Sequence, residues 1–275
     1  MVVPLKHVIK GEDIEIIPGF KIHNPLLSEV ADFGEEKYLQ IVQQLLGKPQ
    51  DMMVYFDDMG LDFEKISPFD FFVSNFLSIP KIIYGIDSAK HTEKYQDLEK
   101  LPEEERDYSI FTSILFGDVD ISKFYMAQNV ETEEVYLYHP QRGLALNKDN
   151  LFELQEYIRR INNIKDEKPR NFSSEFVKKT VIDFERSKMR RQQRQKKEFE
   201  SLFADVIARL VNTEGFKYDY ETVFDLHISQ FYNALITLQG ISEYENTISA
   251  VYAGTMSYEK MSDKSVLNWL RFSNR

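Results

Sequence analysis

At 275 residues the chain is long enough for one large or two small domains, each able to bury a core. An apolar content of 43% excludes general disorder, and the absence of cysteine excludes disulfides, thiolate metal sites and cysteine nucleophiles. No stretch reaches the roughly 18 uninterrupted apolar residues of a membrane span. The opening residues also lack the basic-then-apolar order of a secretion signal, so a soluble cytoplasmic product is expected.

Net charge is −11, unevenly spread. Residues 166–200 carry 11 Lys and Arg against 7 Asp and Glu, leaving about −15 on the remainder. An acidic body with one basic belt argues against a general nucleic-acid binder, whose whole face is basic.

In chain order, residues 1–24 alternate weakly around a Pro18-Gly19 turn and predict one or two short strands. Asn24-Pro25 reads as a helix cap with proline at the first helical position. Tyr38, Leu39, Ile41, Val42, Leu45 and Leu46 form an apolar helix face ended by Gly47 and Pro49, and a short helix over 51–59 closes at Gly60. Ser67-Pro68 opens an aromatic helix that Pro80 is expected to interrupt. The acidic stretch Asp87 to Asp107 reads as an exposed excursion. An apolar run from Tyr108 ends at Gly117-Asp118. Phe124–Ala127 and Val135–Tyr138 flank a polar stretch and predict a hairpin, with Arg142-Gly143 turning out of it. Asn147 or Asp149 caps a helix carrying Leu151, Leu154, Tyr157, Ile158 and Ile161, which ends at Asn162-Asn163.

Ser173 or Ser174 then opens a helix with Phe176, Val177, Thr180, Val181 and Phe184 at helical spacing. Between Glu185 and Glu198 only Met189 is apolar, while Arg186, Lys188, Arg190, Arg191, Arg194, Lys196 and Lys197 crowd together. Helix-favouring residues persist there with little to bury, and the apolar period resumes at Phe199. This pattern predicts a long charged helix joining two bodies. Beyond it, Asp219 is expected to cap a helix from Val223 to Leu238 stopped by Gly240. A last helix, capped by Ser262 or Asp263, presents Val266, Leu267, Trp269, Leu270 and Phe272.

The fold class expected is mainly α with a small β component. A mixed α+β body occupies residues 1–165, a charged helical connector 166–198, and a helical body 199–275.

No catalytic motif is present. His7, His23, His91, His139 and His227 are scattered without HxxxH spacing, and the eleven glycines form no phosphate-binding loop or nucleophile elbow. Lone His227 reads as a surface or half-buried histidine rather than as a general base. Asp57-Asp58 and Asp118-x-Asp120 have oxygen ligands suited to a divalent cation, but turn chemistry explains them more simply. Catalysis, cofactor and metal are therefore not expected.

Three passages carry a resemblance. They are NPLLSEVADFGEEKYLQIVQQLLGKPQDMMVYFDDMGLDFEKISPFDFF near the start, LNKDNLFELQEYIRRINNI in the middle, and the closing stretch from ADVIARLVNTEGF through DLHISQFYNALITLQGISEYENTISAVYAG to SVLNWLRF. Together they resemble the tail and head-to-tail proteins of tailed bacteriophages of Gram-positive hosts, similar in layout to tail-assembly chaperones and baseplate-hub proteins. That resemblance implies a non-enzymatic protein of the virion or host cytoplasm. Its implied partners are other tail or baseplate proteins, or further copies of itself, with no membrane. The residues assigned to partner contact are Arg186, Arg190, Arg191, Arg194, Lys196, Lys197 and Trp269. The alternative is a cytoplasmic nucleic-acid-binding or regulatory protein using the belt 186–197; that run lacks the interleaved aromatics that stack on bases.

Overall fold

The structure, a computed structural model, describes the chain apart from residues 1–4, 91–94, 96–97, 99, 103–104, 196–198, 258, 260, 262–263 and 268–275. It is mainly helical with two small antiparallel sheets. The helices are α1 (Leu5–Ile9), α2 (Leu27–Phe33), α3 (Glu35–Leu46), α4 (Met53–Asp58), α5 (Pro68–Lys90), α6 (Ser113–Phe116), α7 (Lys148–Ile161), α8 (Glu175–Gln195), α9 (Leu202–Val211) and α10 (Ile228–Tyr252). The strands are β1 (Ile14–Ile17), β2 (Phe20–Ile22), β3 (Tyr125–Gln128), β4 (Val135–His139) and β5 (Leu144–Leu146).

β1 and β2 pair around Gly19, whose φ of 84° suits a residue without Cβ. The hairpin β3–β4 forms in the register Tyr125 to Tyr138. A third strand, β5, then pairs with β4 through Leu137 to Leu146. Its three residues, buried–exposed–buried, are too few to show a period in sequence.

Two breaker signals do not end their helices. Pro80 lies inside the continuous helix α5. An interior proline costs about 3 kcal/mol. Phe76, Ile79 and Ile83 on the same helix are fully buried, each contributing about 1.5–3 kcal/mol. Gly240 likewise does not stop α10, which runs on to Tyr252. Asp219 closes a turn by accepting from the amides of Glu221 and Thr222, and α10 itself begins after His227.

Asn24 departs from its expected capping role. α2 starts later, at Leu27, and the Asn24 side chain is buried. Its Nδ2 donates to Ser229 Oγ at 2.8 Å and to the His7 carbonyl at 3.2 Å. The acidic excursion is only partly exposed, because Asp87 and Tyr95 are buried. Tyr95 packs on Tyr84 and Phe111, and its hydroxyl donates to Asp87.

One apolar cluster runs from β1, β2, α2, α3, α5 and α7 to Phe203, Ile207 and Leu210 of α9 and to Val223, Leu226, Ile228 and Phe231. It therefore crosses the boundary expected at residues 198/199. The Glu35 carboxylate caps α9 from the far side, accepting from the amides of Leu202 at 2.9 Å and Phe203 at 3.0 Å. Backbone bonds from Leu27 N to Leu226 O (2.9 Å) and from Ile228 N to Pro25 O (2.8 Å) complete the junction. Among the described residues no helix is long and apolar enough to cross a membrane.

Two predictions follow from this packing. Phe231 is fully buried and meets Phe203 edge-on at 5.7 Å. Phe231→Ala should cost about 3–5 kcal/mol in chemical denaturation, with loss of α3 and α10 signals in one transition. The second concerns pH. The His23 ring bridges two carboxylates, Nδ1 to Asp13 at 2.8 Å and Nε2 to Glu29 at 2.9 Å. Burial opposes its charge, but the hydrogen bond to Glu29 and the charge of Asp13 outweigh it and raise its pKa above 6.5. The bridge should thus contribute fully below about pH 6.5 and be lost as pH rises through the folded value. His23→Gln should remove this decline from melts recorded across pH 6–9. His139, buried with neither ring nitrogen partnered, has its pKa lowered by burial. It works in the opposite sense, destabilising as pH falls below about 6.5.

Candidate protein-contact surface

α8 begins where Ser174 supplies its first-turn partner, accepting from the amide of Val177 at 3.3 Å. One face of the helix then turns inward. Ile182 is buried with Met53, Val54 and Phe63 in a small second core, flanked by Phe56, Phe172 and Val181. Lys178, one turn earlier, is 7% exposed and donates to Asp62 at 2.5 Å and Glu64 at 2.6 Å. Its ammonium also stands 4.8 Å over the Phe63 ring. Burial opposes this charge, but the hydrogen bonds to the two carboxylates overcome it and hold the Lys178 pKa above its ordinary value. The partner carboxylate of Asp62 is correspondingly held low by its bond to Lys178.

One turn later Arg186 completes the inward row. It donates to Asp57 at 2.5 Å, Asp58 at 2.8 Å and, on its own helix, Asp183 at 2.5 Å. Residues 178, 182 and 186 are spaced by four, so they form one line along the helix. The segment leading into α8 is tied down as well, through Lys48 to Asp166 at 2.8 Å and Arg170 N to Gln50 Oε1 at 3.0 Å.

This inward row corrects two sequence expectations. Arg186 is an intramolecular anchor whose guanidinium is already engaged, and it leaves the set assigned to partner contact. Asp57 and Asp58 are its counter-ions. The apolar residues expected to bury α8 are also out of phase with the inward row. Phe176 is 80% exposed and Phe184 68% exposed, while Val177 and Met189 are also exposed.

On the outer side the helix therefore carries Phe176 and Phe184 in its first half and Arg190, Arg191 and Arg194 in its second. These three arginines are exposed and make no ion pair among the described residues. Phe176 and Phe184 leave two large apolar side chains in water on one ordered helix, which makes this face the candidate contact surface. Lys196, Lys197 and Trp269 lie outside the described residues. Lys264–Leu267 form a 3₁₀ turn that lies against α10.

The remaining chemical candidates resolve into structure. Asp120 starts a 3₁₀ turn by accepting from Ser122 N, and it also accepts from Tyr108 N. Asp118 pairs with Arg142 at 2.8 Å. His227 occupies the cap position of α10, and its Nδ1 donates to the Asn24 carbonyl at 2.7 Å.

The geometry thus defines a mainly helical protein with a helix, α8, that buries Ile182 on one side and leaves Phe176 and Phe184 exposed. Residues 193–274 match the family model described as YomV second domain, a phage-derived family, and the match points to a phage origin. The matched span starts in the last turn of α8 and takes in α9 and α10. No curated protein and no solved structure matches the chain.

The separation of anchor from free cations gives a direct test. Arg186→Ala should remove one of the three anchors of α8 and lower the thermal midpoint by about 2–4 °C, as a loss near 1 kcal/mol does in a chain of this size. Joint replacement of Arg190, Arg191 and Arg194 by Ala should leave the midpoint almost unchanged. Equal effects of the two variants on the melt would contradict the assignment.

Proposed function

We propose that this chain is a structural or assembly protein of a tailed phage. It acts by protein–protein contacts in tail, baseplate or head-to-tail morphogenesis, and not as an enzyme. The observation that carries this reading is the outer face of α8, where two exposed phenylalanines precede three unpaired arginines on a helix fixed by its other side. A rigidly held helix loses little order on docking, so its apolar residues can contribute to affinity rather than offset flexibility. Aromatic anchors with arginine beside them are the composition enriched at protein interfaces. The cations steer an acidic partner into place, and the match of residues 193–274 to a phage-derived family supports the setting.

Mass spectrometry of purified mature particles tests the proposal. A stoichiometric amount of the chain would make it a virion component. Its absence from particles, with tail-less heads accumulating on deletion, would make it an assembly chaperone. Normal infectious particles formed without it would overturn both forms. In either supporting case Phe176→Asp with Phe184→Asp should reduce tailed particles at least about tenfold, because both side chains are exposed and the fold does not depend on them. Salt-sensitive retention of the pure chain on DNA or RNA, lost with the arginines, would favour nucleic acid instead.

A further inference from the structure

The β3–β4 hairpin ends in a built turn. Asn129 Oδ1 accepts from the amides of Glu131 at 2.8 Å and Thr132 at 3.2 Å, and the Asn129 backbone exchanges bonds with Glu133 and Glu134 at 2.9 Å each. Gln128 Nε2 donates to the Glu133 carbonyl at 3.0 Å. Glu133 sits at φ 58°, a left-handed conformation that non-glycine residues adopt at some cost. This fixed turn holds Val130 outward at 95% exposure. Around it the carboxylates of Glu131, Glu133 and Glu134 are exposed and form no ion pair among the described residues. The tip is therefore an ordered apolar point ringed by negative charge.

α8 presents the complement, the exposed Phe176 and Phe184 followed by three arginines that form no ion pair among the described residues. The tip has charges and apolar residue matched in kind to that surface, and both are rigid before contact. We propose that the outer face of α8 receives the acidic hairpin tip of a second copy of this chain. This rests on the reading of that face as a contact surface and names its occupant. Val130 packs toward Phe184, and Glu131, Glu133 and Glu134 meet Arg190, Arg191 and Arg194. Donor and acceptor are different patches, so two copies either satisfy both reciprocally in a two-fold dimer or pass one contact on from copy to copy.

Sedimentation velocity of the full chain tests this. Wild type should form dimers or larger species at low salt and dissociate at high salt. Reversing the tip (Glu131→Lys, Glu133→Lys, Glu134→Lys) or the helix (Arg190→Glu, Arg191→Glu, Arg194→Glu) should each weaken association at least about tenfold with an unchanged melt, since all six positions are exposed. Mixing the two variants restores opposite charges at every contact and should restore association in alternating order. A wild type that stays monomeric at low salt, association untouched by either reversal, or a mixture that stays monomeric would each overturn the proposal. The first of these, with particle assembly still lost in the helix-reversed variant, would leave α8 as a contact surface for a different protein. Conversely, restored association in the mixture beside normal particles lacking the chain would uphold this inference and overturn the phage-assembly reading.

Discussion

The structure depends on the junction between residues 24–29 and 226–230. Asn24 lies at 0% exposure with its side chain on Ser229 and His7, its amide on Asp13, and its carbonyl on His227. Burying so many polar groups is tolerable only because nearly all are satisfied; the exception is Asn24 Oδ1, which has no partner. The approach is close enough to fix one residue by sterics. A Cβ on Gly11, which has φ 77°, would come within 2.1 Å of the His227 ring. The two ends of a 200-residue loop are thus clamped, and everything between must pack within or around that closure.

This closure gives α8 its character. With α9 and the start of α10 held in the core that α2, α3 and α7 build, the chain from α7 back to α9 runs along the outside. A helix there has one side to anchor and one side left over. Lys178, Ile182 and Arg186 use the first, joining a buried cation, an apolar contact and a second cation to α4 and the turn after it. Burying Lys178 is favourable only with both carboxylates in place. The leftover side could have been wholly polar. That it carries Phe176 and Phe184 is the feature that folding alone does not require.

Much of this was legible in the sequence where local period and burial coincide. α3 and α7 follow the expected apolar faces, the β3–β4 hairpin falls where aromatic strands flank a polar turn, and Asn147 caps α7 through Asn150. Most of the failures have a common cause, which is contact distant in sequence. Pro80 is a local stop signal overruled by packing, whereas Gly240 lies on an exposed stretch of α10, where a mid-helix glycine costs only about 1 kcal/mol relative to alanine and does not end the helix. Asn24-Pro25 is a local start signal overruled by Ser229 and His227. The belt looked uniformly solvated because nothing near Arg186 in sequence shows that Asp57 and Asp58 face it. In α8 the apolar spacing was visible, but its phase against α4 was not. The line through Lys178, Ile182 and Arg186 is mostly charged and reads as surface until its carboxylate partners are placed.

Native-state hydrogen exchange at the amides of Leu27 and Ile228 tests the central claim most directly, because these two amides bridge the early and late parts of the chain. If one closure holds the molecule, both should exchange only through global unfolding, with the same free energy as Ile41 and Leu45 in the core of α3. Rapid exchange at Leu27 and Ile228 while Ile41 and Leu45 stay protected would contradict it. It would show that the C-terminal helices open independently and that α8 is a tether rather than a fixed surface.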